Sequence, residues 1–155
     1  MINKIIITFH KLYKIKFRFD FPLPEKILLF DESHSSILKE IIKKDFSVLK
    51  VRDKKEIYFW IFLKQIIFFD FKFLTFFKNY IKFTSPKIII TFIDNNIDFY
   101  RLKKNFKNIN FISIQNGNRS NDWFKNANFV KSNNFICDHF FVFNKNFLKK
   151  YQNVI

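Results

Sequence analysis

The sequence predicts an α/β domain built on a doubly wound, Rossmann-like parallel sheet, and three observations lead there. Apolar runs of strand length recur along the chain, stretches with helical spacing separate them, and polar residues gather just past the ends of the runs. Runs that are apolar throughout their centre belong to strands buried on both faces, which is the environment of a parallel sheet covered by helices on each side. Alternation of such runs with helical stretches is the order of successive βαβ units. A chain of 155 residues, 48% of them hydrophobic, suits one domain and can bury a sizeable core.

The elements follow in order. Residues 1–23 read as a basic leader: Ile2, Ile5, Ile6 and Ile7 are mixed with Lys4, Lys11, Lys14, Lys16 and Arg18, and no small-residue cleavage site follows. The domain proper is expected over residues 24–155. Lys26-Ile27-Leu28-Leu29-Phe30-Asp31 is the first strand, and Ser33, Ser35 or Ser36 is expected to cap a helix with Ile37, Leu38, Ile41 and Ile42 on one side. Phe46 to Val51 is a second strand. Lys54 to Phe83 reads as two helices broken near Asp70, and Ser85-Pro86 stops them, because the residue before a proline is pushed out of the α region. Lys87 to Ile93 is the clearest buried strand and ends in Asp94-Asn95. A short helix over Ile97 to Phe106, a fourth strand over Asn110 to Ile114, a fifth over His139 to Phe143 and a closing helical turn over Lys145 to Tyr151 complete the series.

Charge narrows the function less than its size implies. There are 28 basic and 13 acidic residues, a formal net charge of +15, which is the balance of a protein drawn to nucleic acid or to an anionic membrane. Only Arg18, Arg52, Arg101 and Arg119 are arginines, so lysine supplies the remaining 24. The 26 phenylalanines and the abundant Ile and Asn share with lysine codons rich in A and T, so nucleotide composition accounts for much of the bias. The apolar region from Ile57 to Phe83 is interrupted by Lys64, Asp70, Lys72, Lys78 and Lys82, which argues against a spanning helix. Its mixture of aromatics and lysines is the composition of a helix packed in a core or lying on an anionic membrane surface. One cysteine, Cys137, fits a reducing, cytoplasmic setting.

Several chemistries are excluded. His10, His34 and His139 stand apart with no His-x-x-x-His pair, and a single cysteine excludes a multi-cysteine site, so no metal site is expected. A single glycine, Gly117, rules out the glycine-dependent dinucleotide loop, the P-loop and the nucleophile elbow. That glycine lies in Gln115-Asn116-Gly117-Asn118-Arg119, directly after the fourth strand, and a backbone needing positive φ or close approach to a ligand is expected there. The alternative is an ordinary Asn-Gly turn. In parallel sheets ligands sit beyond the carboxyl ends of the strands, so the candidate binding residues are Asp94, Asn95, Gln115, Asn116, Gly117 and Arg119. Arg119 can pair its planar fork with a phosphate or carboxylate; Asp94 and Asn95 can hydrogen-bond a hydroxyl-rich substrate, or Asp94 can cap the following helix. Asp31-Glu32-Ser33-His34 sets a carboxylate near an imidazole, a second candidate for acid–base work.

The ordered set of Asp31, the Thr91-Phe92-Ile93-Asp94-Asn95 segment, the Ile114-Gln115-Asn116-Gly117-Asn118-Arg119 segment and Asp138 to Phe143 resembles the N-terminal half of bacterial surface carbohydrate (O-antigen) biosynthesis proteins, from about Lys26 to Tyr151. That group is similar to GT-B glycosyltransferases and, more distantly, to CDP-glycerol glycerophosphotransferases. The resemblance implies a nucleotide-sugar donor with no further cofactor, and a sugar or lipid-linked acceptor. Because such enzymes hold the activated donor chiefly in a C-terminal domain, it implies either a truncated frame or a donor domain supplied by a separate chain, and a cytoplasmic protein peripheral to the inner membrane face. Alone, such a domain would bind weakly and turn over little. Asn116 stands before Gly117 where glycerophosphotransferases carry a histidine proposed as base; asparagine takes no proton at neutral pH, so no catalytic residue is carried over. A basic nucleic-acid-binding module is the competing class, but no recognition-helix, RRM or zinc pattern supports it; a truncated product with a fold and no activity is the third.

Overall fold

The computed structural model describes residues 16–51, 56–70, 72–120, 122 and 136–152. In chain order these form β1 (Lys16–Arg18), β2 (Ile27–Phe30), α1 (Ser35–Ile42), β3 (Ser47–Leu49), β4 (Glu56–Tyr58), α2 (Phe59–Ile67), α3 (Phe73–Thr84), β5 (Ile88–Thr91), α4 (Ile97–Lys103), β6 (Asn110–Ile114), β7 (His139–Phe141) and α5 (Lys145–Gln152). Five strands make one sheet in the order β3-β2-β5-β6-β7, and every pairing in it is parallel. The fold is therefore the α/β, Rossmann-like arrangement expected.

Period-two alternation within the strands divides the core between two faces. Leu28 and Phe30 of β2, Ile89 of β5 and Phe111 of β6 point to one side, where Ile61 of α2, Phe76, Phe77, Tyr80 and Ile81 of α3, and Phe99 and Leu102 of α4 meet them. Leu29 of β2 and Ile90 of β5 point to the other, against Leu38 of α1, with Phe92 beside them. Helices thus cover both faces. The rings of the first face interlock, with Phe30 edge-on to Phe77 at 5.4 Å and Phe99 against Phe111 at 5.1 Å. Each such fully buried large side chain contributes about 1.5–3 kcal/mol relative to exposure.

Three local expectations are corrected. Between Lys54 and Phe83 the chain first forms β4, a strand that pairs in parallel with β1, Lys16 opposite Glu56 and Arg18 opposite Tyr58. The described part of the leader is thereby tied to the domain, reinforced by Arg18 Nη1 to Glu56 Oε2 at 3.4 Å and Lys50 Nζ to Glu56 Oε1 at 2.8 Å. No serine caps α1; its N-cap is His34, in the left-handed region at φ 60°, without a side-chain cap bond. Gly117 is not in the left-handed region at all. Among the described residues the positive φ values belong to Asp31 (89°), His34, Lys43 (50°), Phe69 (50°) and Ser85 (47°). The chain makes its left-handed turns with side-chain-bearing residues and accepts the strain, while its one glycine sits where another residue would fit.

The sheet order places a topological switch point between β2 and β5. From β2 the chain moves outward to β3, then returns across the sheet to enter β5 on the far side of β2. Loops leaving neighbouring strands in opposite directions open a crevice at their carboxyl ends, which is where open α/β sheets hold ligands.

Candidate functional site

Two groups of residues occupy the carboxyl edge. At the switch point, Asp31 follows β2 and is buried, with a backbone held at φ 89° by two hydrogen bonds: its amide donates to the Leu49 carbonyl (2.9 Å) and its Oδ1 accepts the Ser33 amide (2.9 Å). The His34 ring rests on Phe92, just past β5, at 5.1 Å. Thr91 joins the two strands from inside, its hydroxyl donating to the Phe30 carbonyl (3.2 Å) and accepting the Ile93 amide (3.0 Å). The carboxylate and imidazole that are close in sequence are thus engaged with different partners.

The second group is centred on Asp94, whose side chain is fully buried. Its Oδ1 accepts a hydrogen bond from Arg119 Nη2, and its Oδ2 accepts the Tyr151 hydroxyl of α5 at 2.8 Å. Its backbone carbonyl accepts the Tyr100 hydroxyl of α4 at 2.8 Å, and that hydroxyl lies 2.9 Å from Ser113 Oγ on β6. Asp94 does not cap α4; Asn96 does, accepting the Asp98 amide at 3.0 Å. Arg119, with a side chain only 16% exposed, also donates to Asn116 Oδ1 at 3.1 Å. Gln115 closes the loop on itself and on its neighbour: its Nε2 donates to the Gly117 carbonyl (2.8 Å), and its Oε1 accepts the Phe143 amide beyond β7 (3.1 Å).

Of the six residues singled out from sequence, Asp94, Asn116 and Arg119 are joined in the Asp94 network, while Gln115 and Gly117 are bonded to each other in the same loop. Asn95, the sixth, is adjacent and exposed. What sequence reasoning missed are Tyr100, Ser113 and Tyr151, which lie inside elements and were passed over in favour of strand-end loops. A signal existed: in a chain with 26 phenylalanines and five tyrosines, each tyrosine marks a place where a hydroxyl is worth having.

Electrostatics follow from burial. Burial presses the Arg119 guanidinium toward neutrality, but its hydrogen bond and charge contact with Asp94 outweigh this, so it holds its proton more tightly than a free arginine. Burial first, and then donation to Asp94, push the Tyr151 phenol up, and burial likewise pushes the Tyr100 phenol well up. Both phenols are donors at neutral pH. Cys137, just before β7, is pushed up to about 11 by burial and the nearby Asp138, so it is a thiol and not a nucleophile. Among the described residues no group of three or more His, Cys, Asp or Glu is placed to hold a metal ion.

No protein-family model, curated protein or solved structure matches this chain. The chemistry of the site therefore rests on its geometry. Both carboxylate oxygens of Asp94 are already engaged, one by Arg119 and one by Tyr151, so Asp94 organises the edge instead of meeting substrate. The exposed groups near it, Asn95 next in sequence and Asn116 bonded to Arg119, are amides suited to hydroxyls and phosphate oxygens.

Proposed function

We propose that this domain binds the acceptor side of a sugar-transfer reaction in cell-surface polysaccharide assembly, as a GT-B-like glycosyltransferase domain. The ligand lies at the carboxyl edge, over the loops that follow β2, β5 and β6, in a cytoplasmic protein at the inner membrane face. The observation that carries this reading is the Asp94 network, which fixes the loop after β6 against the loop after β5 and so pre-organises Asn95, Asn116 and the Gly117 backbone for a polyhydroxyl or phosphate ligand. The segment resemblance supplies the reaction class; a nucleotide-sugar donor would be held by a second domain facing this edge. The domain's part is orientation and electrostatic stabilisation of a leaving phosphate by the loop that the Arg119–Asp94 pair holds in place, and no covalent protein intermediate is involved.

The test is a screen of nucleotide sugars and of sugar phosphates by amide chemical-shift perturbation on the folded domain. Shifts confined to residues 94–96 and 115–119, reduced several-fold in affinity by Asn95→Ala with Asn116→Ala, are the expected result. Perturbations elsewhere on the molecule, or affinity indifferent to both substitutions, would reject the site. Salt-steep binding of nucleic acid with no sugar-phosphate response would favour the basic-module reading instead.

A further inference from the structure

We propose that the outer flank of the α2 and α3 hairpin is a docking surface for an anionic lipid bilayer. The helices bury Ile61, Phe76, Phe77, Tyr80 and Ile81 against the sheet, yet their opposite side is far more apolar than a solvated face requires. Phe21 stacks between Trp60 (6.1 Å) and Phe83 (5.5 Å), and this aromatic layer lines a cleft of about 300 Å³ together with Lys64 and Lys82. Along α2 the same stripe continues at helical spacing from Trp60 through Lys64 to Ile67 and Phe68. It ends in a tip where Ile67, Phe68 and Phe69 are 65%, 71% and 84% exposed, with Lys72 following.

Charge decides the partner. Lys64, Lys72 and Lys82 border the aromatics and are exposed. The acids nearest in sequence already have partners: Asp70 accepts the Thr75 hydroxyl (2.7 Å) and the Lys72 amide (3.3 Å), and the exposed Asp20 is neutralised by its pair with Arg18 (2.5 Å). A face of aromatic and aliphatic tips ringed by lysines matches the headgroup region of an anionic bilayer, where rings sit at the acyl boundary and ammonium groups meet phosphates. The Trp60 indole N–H donates to the Phe19 carbonyl at 2.7 Å, so its ring can enter that boundary without an unsatisfied donor. Because α3 leads into β5 by a short turn and Phe73 lies beside Lys50 just past β3, the exposed tip is on the carboxyl-edge side of the sheet. A bilayer on this flank would present its headgroups to the candidate site. The docking claim rests on the transferase reading only for what the membrane would carry.

The experiment is sedimentation of the full chain with vesicles of phosphatidylcholine alone and of phosphatidylcholine mixed with phosphatidylglycerol, with Trp60 emission read in a Trp123→Phe background. Binding to the anionic vesicles with a blue shift of Trp60 is expected. Phe68→Ser with Phe69→Ser, and separately Lys64→Glu with Lys82→Glu, should each weaken it roughly tenfold or more while leaving the thermal midpoint in place. Equal affinity for neutral vesicles, no binding to anionic ones, or loss in the lysine variant alone would overturn the proposal. So would a dimer, seen by sedimentation equilibrium, that the phenylalanine substitutions dissolve, since the flank would then meet a second copy. None of these readouts involves sugar transfer, so failure of the enzymatic reading leaves the result interpretable.

Discussion

Asp94 is the residue on which the carboxyl edge turns. A buried carboxylate with an arginine and a phenol as partners is costly to orphan: removing one member of such a pair typically costs about 3–5 kcal/mol, because the other charge stays buried without compensation. Asp94→Ala should therefore lower stability by roughly that amount in urea unfolding, and Arg119→Ala by a similar amount, whereas Tyr151→Phe, which removes one donor to a charged acceptor, should cost about 1.5–3 kcal/mol. If Arg119→Ala unfolded like the wild-type protein, Asp94 would not depend on it. Gly117 gives the opposite expectation. Its φ is outside the left-handed region, and an added Cβ would meet only Arg119 Nη1, at the ordinary contact distance of 3.9 Å. Gly117→Ala should be neutral or stabilising by about 0.4–1 kcal/mol through the lost freedom of the unfolded chain. The sequence singles out this loop for a reason the backbone does not share. A sole glycine predicts conformational need, but the loop is shaped by the side chains of Gln115 and Arg119.

At the scale of elements, five strands and their helices are legible because each is a local pattern: Ile88 to Ile90 is apolar throughout, and α3 carries Phe76, Phe77, Tyr80 and Ile81 on one face. What was not legible depends on partners distant in sequence. β4 forms because β1 lies beside it, and nothing in Glu56-Ile57-Tyr58 distinguishes that strand from the first turn of the helix that follows. Tyr100 and Tyr151 reach Asp94 only once α4 and α5 have docked on the sheet. The scarcity of glycine also leaves a mark on helix ends. α1 and α3 terminate at Lys43 and Ser85 in the left-handed conformation, each cap amide bonding back to the carbonyl four residues earlier, at Lys39 and Ile81. That conformation costs an ordinary L-residue roughly 1–2 kcal/mol and glycine little. Ser85→Gly and Lys43→Gly should each stabilise the protein by about 0.5–1 kcal/mol. A fall in the unfolding midpoint for both would mean that their side chains contribute more than the strain removes.

Across the whole molecule, two features of charge and connectivity bear on stability. Asp138, donated to by the Phe111 amide at 2.7 Å and paired with Lys103 at 2.7 Å, is held below the usual carboxylate range; burial opposes this, but the lysine and amide contacts outweigh it. Glu56, between Lys50 and Arg18, is lowered in the same way. A carboxylate lowered in the folded state adds stability above its unfolded pKa. Stability should therefore hold from neutral pH down to about 4 and then fall as the pH passes through the lower folded values, with Asp138→Asn flattening part of that decline.

The second feature concerns where the domain begins. Sequence composition set residues 1–23 aside as a leader, yet β1 pairs with β4, Pro22 is buried, and Phe21 fills the space between Trp60 and Phe83. Those contacts secure α2 to α3 from outside, just as the sheet secures them from within. Removing residues 1–23 deletes one strand of a two-stranded pair, the Trp60 acceptor and the stacked ring together. Stability should drop by roughly 2–4 kcal/mol, the sum of one large apolar side chain and a few modest polar contacts. The loss should be concentrated in α2, so amide exchange in residues 59–67 would accelerate more than in β5 and β6. An unchanged urea midpoint in the shortened chain would mean that the leader rests on the domain without supporting it.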